Sequence, residues 1–542
     1  MPSTPTKTSS MSVPVAHKLD TAQKNDSLAG TSKTRNVLYF LIAFRLLNAL
    51  TIRTFFQPDE YYQSLEPAWW LAFGDGSGSW ITWEWKQHLR SALHPVLFAI
   101  VYRASDAVCQ ILHVSATTRS EALLAAPKAL QAVIAAFGDY YTYKLAKQIY
   151  GRTSNQAWLT LFLSVTSAWQ WFCSTRTFSN CLETPLTIVA LYNWPFHWAL
   201  GTDEVGFQVD EKVLRIRQVD DPARSEADET TRLRRAILCA ATAVILRPTN
   251  AIIWITLTLM TFVRGMWHHH IHWEITAFLK EGVLCGSTVL TLSALVDRLF
   301  YGVWTFPPWS FLKFNVFQSL AVFYGNNNWH YYLTQGYPLL LTVAAIWAGM
   351  GVYEALTRGE RLKCLTIQSR LTLHRLAVIS LVLPAALSVL SHKEVRFIYP
   401  VLPALHILAA LSLAKVVGLT STIGQDEKTS PKRIGRRGWA VLIVYLIVNV
   451  TVAGYTSLIH GSGVVDVTNY LRQEFETHYL SAPDAARTNL TFAAFMPCHS
   501  IPWRSHLHYP PTSQQPGISG WALTCEPPLN LDSEAKASYL DE

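Results

Sequence analysis

The feature that most constrains this chain is a series of apolar runs of about 17 to 25 residues, each close to the length a helix rising 1.5 Å per residue needs to cross a bilayer core. They fall at about 37–54, 122–146, 156–173, 181–199, 236–263, 282–299, 337–357, 374–390, 398–418 and 438–458. Composition agrees: half of the 542 residues are hydrophobic and 15% are charged, where a soluble domain carries about a quarter charged. The expectation is an all-α polytopic membrane protein. It has about 11 spans if 236–263, interrupted by Arg247-Pro248, counts as two short crossings, one fewer if it is a single kinked span.

Basic residues orient the spans. Lys33 and Arg35 precede the first run, Lys144, Lys147 and Arg152 follow the second, and loops near 358–375 and 428–437 are rich in Lys and Arg. Cytoplasmic loops concentrate such residues. Residues 1–35 therefore read as a disordered cytoplasmic tail, 36–458 as the multispan catalytic body and 200–235 as a charged cytoplasmic loop. Residues 55–120 read as a first lumenal loop and 459–542 as a lumenal C-terminal region. Within the first loop, 92–113 carries Arg103 and Asp106 centrally and is expected to lie along the interface. The net charge of +8 is an orientation signal of this kind; no basic-aromatic or base-reading pattern indicates nucleic acid. Cys498 and Cys525 lie in the polar C-terminal region as disulfide candidates, beside a glycosylation sequon at Asn489.

Sorting by side gathers four polar clusters on the lumenal face: Gln57-Pro58-Asp59-Glu60, Arg176 with Glu183, residues 324–330 ending in Trp329 and His330, and His392-Lys393-Glu394-Val395-Arg396. Asp59 or Glu60 suits a general base on an acceptor hydroxyl, or equally an acidic helix cap after proline. His392, Lys393, Arg396 and His330 suit a phosphate-bearing lipid. The competing reading, snorkelling to headgroups, is disfavoured on a lumenal face. Trp83, Trp85 and Trp329 are candidates for stacking on sugar or for interfacial anchoring. Arg247 is either a functional intramembrane charge or a cation at a break near the cytoplasmic edge. The run His268 to His270 lacks ligands at metal-site spacing, and no Asp-x-Asp or Gly-rich phosphate loop occurs, so no metal, cofactor or soluble nucleotide-sugar donor is expected.

The motifs Pro58-Asp59-Glu60, Thr82-Trp83-Glu84-Trp85 with Arg90-Ser91, Arg247-Pro248-Thr249, Phe300-Tyr301-Gly302 and the run from His392 to Pro403 resemble the dolichyl-phosphate-mannose-dependent mannosyltransferases of glycosyltransferase family 22. Gln57 departs from the pattern, since family members commonly carry His there. Met496 to Ser500 and Leu523 to Pro527 are most similar to members that add the third mannose of the GPI-anchor core. The resemblance implies a C-type glycosyltransferase fold in the endoplasmic reticulum membrane and a lumenal active site. Dolichyl-phosphate-mannose is then the donor and a GPI glycolipid the acceptor, with inverting α-1,2 transfer and Asp59 as base. Alternatives are a family member extending the N-glycan precursor and, from another class, a polytopic lipid or sugar transporter; the latter should show paired inverted repeats, which the sequence lacks.

Overall fold

The structure, a computed structural model, describes residues 35–199, 222–267, 272–314, 325–357, 362, 365–419, 434–479, 488–512, 515–524 and 526–527. The expected tail, most of the charged loop and the histidine run 268–270 lie outside them. Among the described residues five helices are long and apolar enough to cross a membrane, or six if one bent pair counts as a span. The protein is a multi-pass membrane protein, with a helical body and a smaller cap resting on one end.

Several spans expected to be continuous are broken. The run 156–173 forms helices Asn155–Thr166 and Ala168–Cys173, and the Ser167 hydroxyl caps the second by accepting from the Gln170 N–H. The run 337–357 is not straight either. Helix Tyr332–Leu341 meets Ala344–Thr357 at 113°, and Thr342 turns the corner at φ +51°. The third break, at Arg247 to Asn250, divides helix Pro222–Leu246 from helix Ala251–Trp267.

Hydrocarbon offers no hydrogen bonds to the backbone groups freed at a break, so side chains must supply them. Asn449 Oδ1, on helix Arg436–Leu458, accepts from Ala168 N–H at 3.0 Å and from the Thr342 hydroxyl at 2.9 Å, and so serves two breaks. Arg45, on the helix spanning 35–51, pairs with Asp139 at 2.6 Å and reaches the Ser164 and Gln170 carbonyls at 3.3 and 3.4 Å. Both members of that pair are at most 1% exposed. The longest described helix, Ala116–Tyr150, carries Asp139 and exceeds the expected 122–146 at both ends.

The cap has its own apolar core, in which Tyr61, Trp69, Phe98 and Tyr102 pack with Phe475, Trp503, Leu507 and Ile518. Helix Leu93–Ile111 belongs to it and is not among the candidate spans; Asp106 near its end pairs with Arg119 at 2.5 Å. The all-α expectation is corrected in the C-terminal region. There strands Leu490–Ala494 and Ile518–Ala522 pair in parallel, with Leu490 opposite Ile518. A Cβ at Gly520 would stand 2.4 Å from the Phe492 ring, so this short alternating segment pairs only because glycine lets the strands approach. Cys498 is disulfide-bonded, and Cys525 lies outside the described residues.

Candidate active site

The chain leaves its first helix in extended form and turns at Pro58, whose carbonyl accepts from Tyr61 and Tyr62 N–H at 3.0 and 2.9 Å. A wide π turn, Tyr61–Leu65, follows before helix Glu66–Phe73. Such turns recur at functional sites because they offset the side chains on either side. Here the offset sends two adjacent carboxylates to different neighbours.

Glu60 points inward. Arg176 Nη1 donates to it at 2.9 Å, and the same guanidinium donates to the Thr54 carbonyl, the Thr54 hydroxyl and the Phe172 carbonyl at 2.7, 2.7 and 2.8 Å. Arg176 and Glu60 are 2% and 6% exposed. Arg176 is therefore a buried strut joining three segments, not a group facing substrate, which corrects the expectation for it. Glu183 is likewise turned inward. Asn180 and Asn250 donate to its two oxygens at 3.1 and 2.8 Å, and Asn180 also reaches the Arg396 carbonyl at 3.2 Å.

Asp59 turns the other way and keeps 18% of its side chain exposed. Its described hydrogen bond comes from Arg396 Nη1 at 2.5 Å, so the carboxylate is held through one oxygen and does not cap the helix behind it. Arg396 is clamped from the far side by Glu394, whose oxygens accept from Nε at 2.6 Å and Nη2 at 2.7 Å. His392 Nε2 lies 3.0 Å from Glu394. Burial pushes the Glu394 carboxyl up, but the Arg396 guanidinium and His392 outweigh it and hold the group well below the usual carboxylate range. Glu394 thus stays ionised and fixes the arginine that fixes Asp59.

The other expected cations are already occupied. Lys393 Nζ donates to the carbonyls of Asn327, Leu390 and Ser391 at 2.8, 2.5 and 3.4 Å, and Asn327 returns a bond to the Lys393 carbonyl at 3.0 Å. An ammonium has three donors, so Lys393 laces the 325–331 segment to the 391–394 loop. His330 Nδ1 lies 3.3 Å from the Thr334 hydroxyl of its own turn. Trp85 is 1% exposed, with its indole N–H on the Tyr62 carbonyl at 3.0 Å and its ring against Phe300, which makes it a buried packing residue between the Tyr61–Leu65 turn and helix His272–Tyr301. Trp83 is 7% exposed, whereas Trp329 is 71% exposed beside His330. Asn489 is exposed, and its Oδ1 accepts from Gly517 N–H at 2.9 Å. Among the described residues no group of three or more His, Cys, Asp or Glu could hold a metal ion.

Two residues outside the expected site set stand near it: Arg247, whose role the sequence left open, and His499, which it did not single out. Arg247, at the third break, stands over the Phe397 ring at 5.1 Å, and Arg396 stands over the same ring at 5.7 Å. His499, in the Met496 to Ser500 motif, packs on Tyr62 and Trp80 at 4.7 and 5.2 Å, bringing the C-terminal region beside the turn that carries Asp59 and Glu60. The intramembrane position of Arg247 was a signal; for His499 only the motif was.

A membrane body of broken helices with an ion-paired, partly open carboxylate beside a cap is the frame of a membrane-embedded enzyme. The chain belongs to the Alg9-like mannosyltransferase family, whose sequence profile matches residues 36–508. It is 48% identical over 531 residues to the GPI mannosyltransferase 3 of Aspergillus fumigatus, covering 96% of this chain and 66% of that protein. It therefore spans a little under two thirds of that relative's length. The mouse GPI alpha-1,2-mannosyltransferase 3 is 32% identical over 507 residues, covering 93% of this chain and 76% of that protein. In fold the chain is similar to ArnT from Cupriavidus metallidurans, solved bound to undecaprenyl phosphate. The TM-score is 0.51 at 11% identity, covering 89% of this chain and 85% of that one.

Proposed function

We propose that this protein is an inverting, metal-independent α-1,2-mannosyltransferase of the endoplasmic reticulum membrane, taking mannose from dolichyl-phosphate-mannose and adding it as the third mannose of a GPI-anchor precursor. The cap and the Asp59 rim are lumenal in this reading, with about 11 crossings. The names of the relatives support the acceptor class. The observation that carries the chemistry is the division of labour between neighbours: Glu60 is buried on Arg176, while Asp59 is open and held through one oxygen by Arg396.

The free side of Asp59 accepts the proton of the acceptor 2-hydroxyl as that oxygen attacks the anomeric carbon. The new C–O bond forms as the bond to the phosphate oxygen breaks, and the electron pair leaves with dolichyl phosphate. A single displacement inverts the β-linked donor to an α product. Arg396 orients the base, and Glu394 and His392 hold Arg396. Lys393 fixes the loop on which both stand.

The test is the lipid that accumulates on depletion of the protein. A GPI precursor with two mannoses is expected, restored to three by the wild-type gene. Accumulation of a truncated N-glycan precursor with normal GPI lipids would refute the assignment.

A further inference from the structure

A crevice opens where the first and last helices of the body end. The Ser457 carbonyl accepts from Arg53 N–H at 3.0 Å and the Gly461 carbonyl from Phe55 N–H at 3.1 Å, so helix 35–51 and helix Arg436–Leu458 finish side by side. Past them the chain forms helix Ser462–Glu474, on which Asp466, Asn469 and Tyr470 recur at helical spacing. These three, Arg53, and Glu121 and Lys128 two turns apart on helix Ala116–Tyr150, line a cavity of about 410 Å³, within the size range of ligand sites. Arg53 and Lys128 also line an inner chamber of about 20 Å³ together with Glu60 and Arg176, so the crevice runs from the helix ends to the back of the turn that carries Asp59.

The polar groups of this crevice are idle. Among the described residues the side chains of Arg53 and Lys128 make no hydrogen bond or ion pair, whereas Lys393 spends its ammonium on three carbonyls. Asn469 Oδ1 is sealed from solvent without a partner. Of the two carboxylates, Glu121 is held by Arg472 at 2.6 Å and Asp466 is exposed; neither pairs with Arg53 or Lys128. Two cations with free N–H groups in one partly covered cavity favour an anion with several oxygens. The acceptor oxygens of Asn469 and Asp466 favour hydroxyl groups beside it.

An apolar strip leads away from the same opening. Leu50 lines the crevice, and Phe40, Ala43 and Leu47 continue from it down one exposed face of helix 35–51. Tyr470, exposed on the opposite wall, is the residue type that settles at the level of lipid headgroups. Cations, hydroxyl acceptors and an adjoining hydrocarbon track together describe a lipid with a charged, polyhydroxylated head. A soluble anion leaves the strip unused, a phosphatidylcholine head has no donor for Asn469, and a polyprenyl phosphate carries no polyol.

We infer that this crevice holds the headgroup of a polyol glycerophospholipid, with Lys128 and Arg53 on its phosphodiester, Asn469 and Asp466 on its hydroxyls and an acyl chain along the Leu50 strip. Two sources share that chemistry: a phosphatidylinositol of the bilayer, and the phosphatidylinositol end of the glycolipid acceptor. The second source rests on the mannosyl-transfer reading above; the first does not. In either case the head sits against the buried Glu60–Arg176 pair and not on the open side of Asp59.

The test uses the purified full-length protein in phosphatidylcholine nanodiscs, with phosphatidylinositol, inositol phosphate and dolichyl phosphate as probes. Phosphatidylinositol should raise the Tm of the wild type, and Lys128→Gln and Arg53→Gln should each weaken its binding by about tenfold or more through loss of charge-assisted hydrogen bonds. Lys128→Arg should keep most of the effect. An acceptor KM raised about tenfold in the same variants, at a donor KM within about twofold, assigns the crevice to the glycolipid acceptor. An unchanged acceptor KM with lost phosphatidylinositol binding assigns it to the bilayer lipid. If Lys128→Gln does not accumulate, Arg53→Gln, at an exposed residue, carries the test. Folded variants with unchanged lipid binding and unchanged acceptor KM overturn the inference. So does protection by inositol phosphate as strong as by the lipid, or protection by dolichyl phosphate that these variants abolish. A wild type that transfers no mannose overturns the function instead, and lipid binding then decides the site alone.

Discussion

Asp59 and Glu60 are adjacent carboxylates that the structure puts to opposite uses, and substituting each by its amide separates them. In Asp59→Asn, Arg396 keeps its two-point contact with Glu394, so folding should be little affected. The base is gone, and general-base catalysis is worth about 10² to 10⁴ in rate. In Glu60→Gln, Arg176, 2% exposed, keeps three oxygen acceptors but loses the one carboxylate it pairs with among the described residues. Breaking a buried pair on one side costs about 3 to 5 kcal/mol, and the retained amide hydrogen bond places this variant near the lower figure. Both variants should be expressed in cells lacking the endogenous protein, with mannosyl transfer measured in microsomes per folded molecule and Tm measured after detergent extraction. The expected pattern is normal Tm with transfer down at least a hundredfold for Asp59→Asn, and a Tm lower by several degrees with most of the specific activity retained for Glu60→Gln. An Asp59→Asn protein transferring at near wild-type rate, or a Glu60→Gln protein as stable as wild type, would refute the division of labour.

Arg45→Met leaves Asp139 unpaired among apolar helices and should lower protein levels sharply, by about 3 to 5 kcal/mol of stability; Asp139→Leu added to it should recover part of the loss, and a purely additive double variant would contradict the pairing. Asn489→Gln should abolish an endoglycosidase-sensitive mobility shift, since the sequon lies in the exposed C-terminal region; a wild-type protein without such a shift would contradict the lumenal placement of that region. Burial depresses His508 to about 3 and also lowers His506, so the unfolded chain binds protons first. The stability these histidines contribute is full above about pH 6.5 and falls as pH drops towards their folded values, by about 1.4 kcal/mol per unit for each. Hydrogen exchange in 490–522, corrected for intrinsic rates, should be faster at pH 5.5 than at 7.5, and equal protection would contradict it.

Much of the membrane body was legible because an apolar run must be long to cross a bilayer, and length survives in any sequence. What was not legible is where a run breaks. Ser167 and Thr342 are ordinary residues inside apolar stretches, and the partner that makes their breaks affordable, Asn449, lies more than a hundred positions away from either. Arg247-Pro248 was visible because proline announces its own break. At the site, sequence brought the right loops together but could not tell which charges would neutralise one another. Arg176, Glu183 and Lys393 all read as groups available to a ligand, and each is satisfied internally by partners from distant segments. The cap's parallel strand pair was missed because two five-residue segments separated by a long excursion carry no periodicity strong enough to register.

The breaks and the site have a common physical cause. A straight span ends where the hydrocarbon ends, and its charged residues must then lie in the headgroup region or beyond it. A span interrupted below the rim can present an arginine at its broken end, where the helix no longer surrounds it with its own side chains. Arg247 stands at such an end, and Arg396 stands on the short 3₁₀ segment Val395–Val401 that precedes helix Leu402–Val416. Both lean on Phe397, so one ring is shared by the arginine that holds Asp59 and the arginine at the break. Replacing Phe397 by Leu would keep the apolar contact and remove the π face, worth about 0.5 to 2 kcal/mol for each guanidinium. Because Arg396 has two carboxylates to hold it and Arg247 has none among the described residues, the loss should fall mainly on Arg247. Tm should fall while the rate at saturating donor stays near wild type, and a fall in that rate at unchanged Tm would show that the ring serves Arg396 and the base instead.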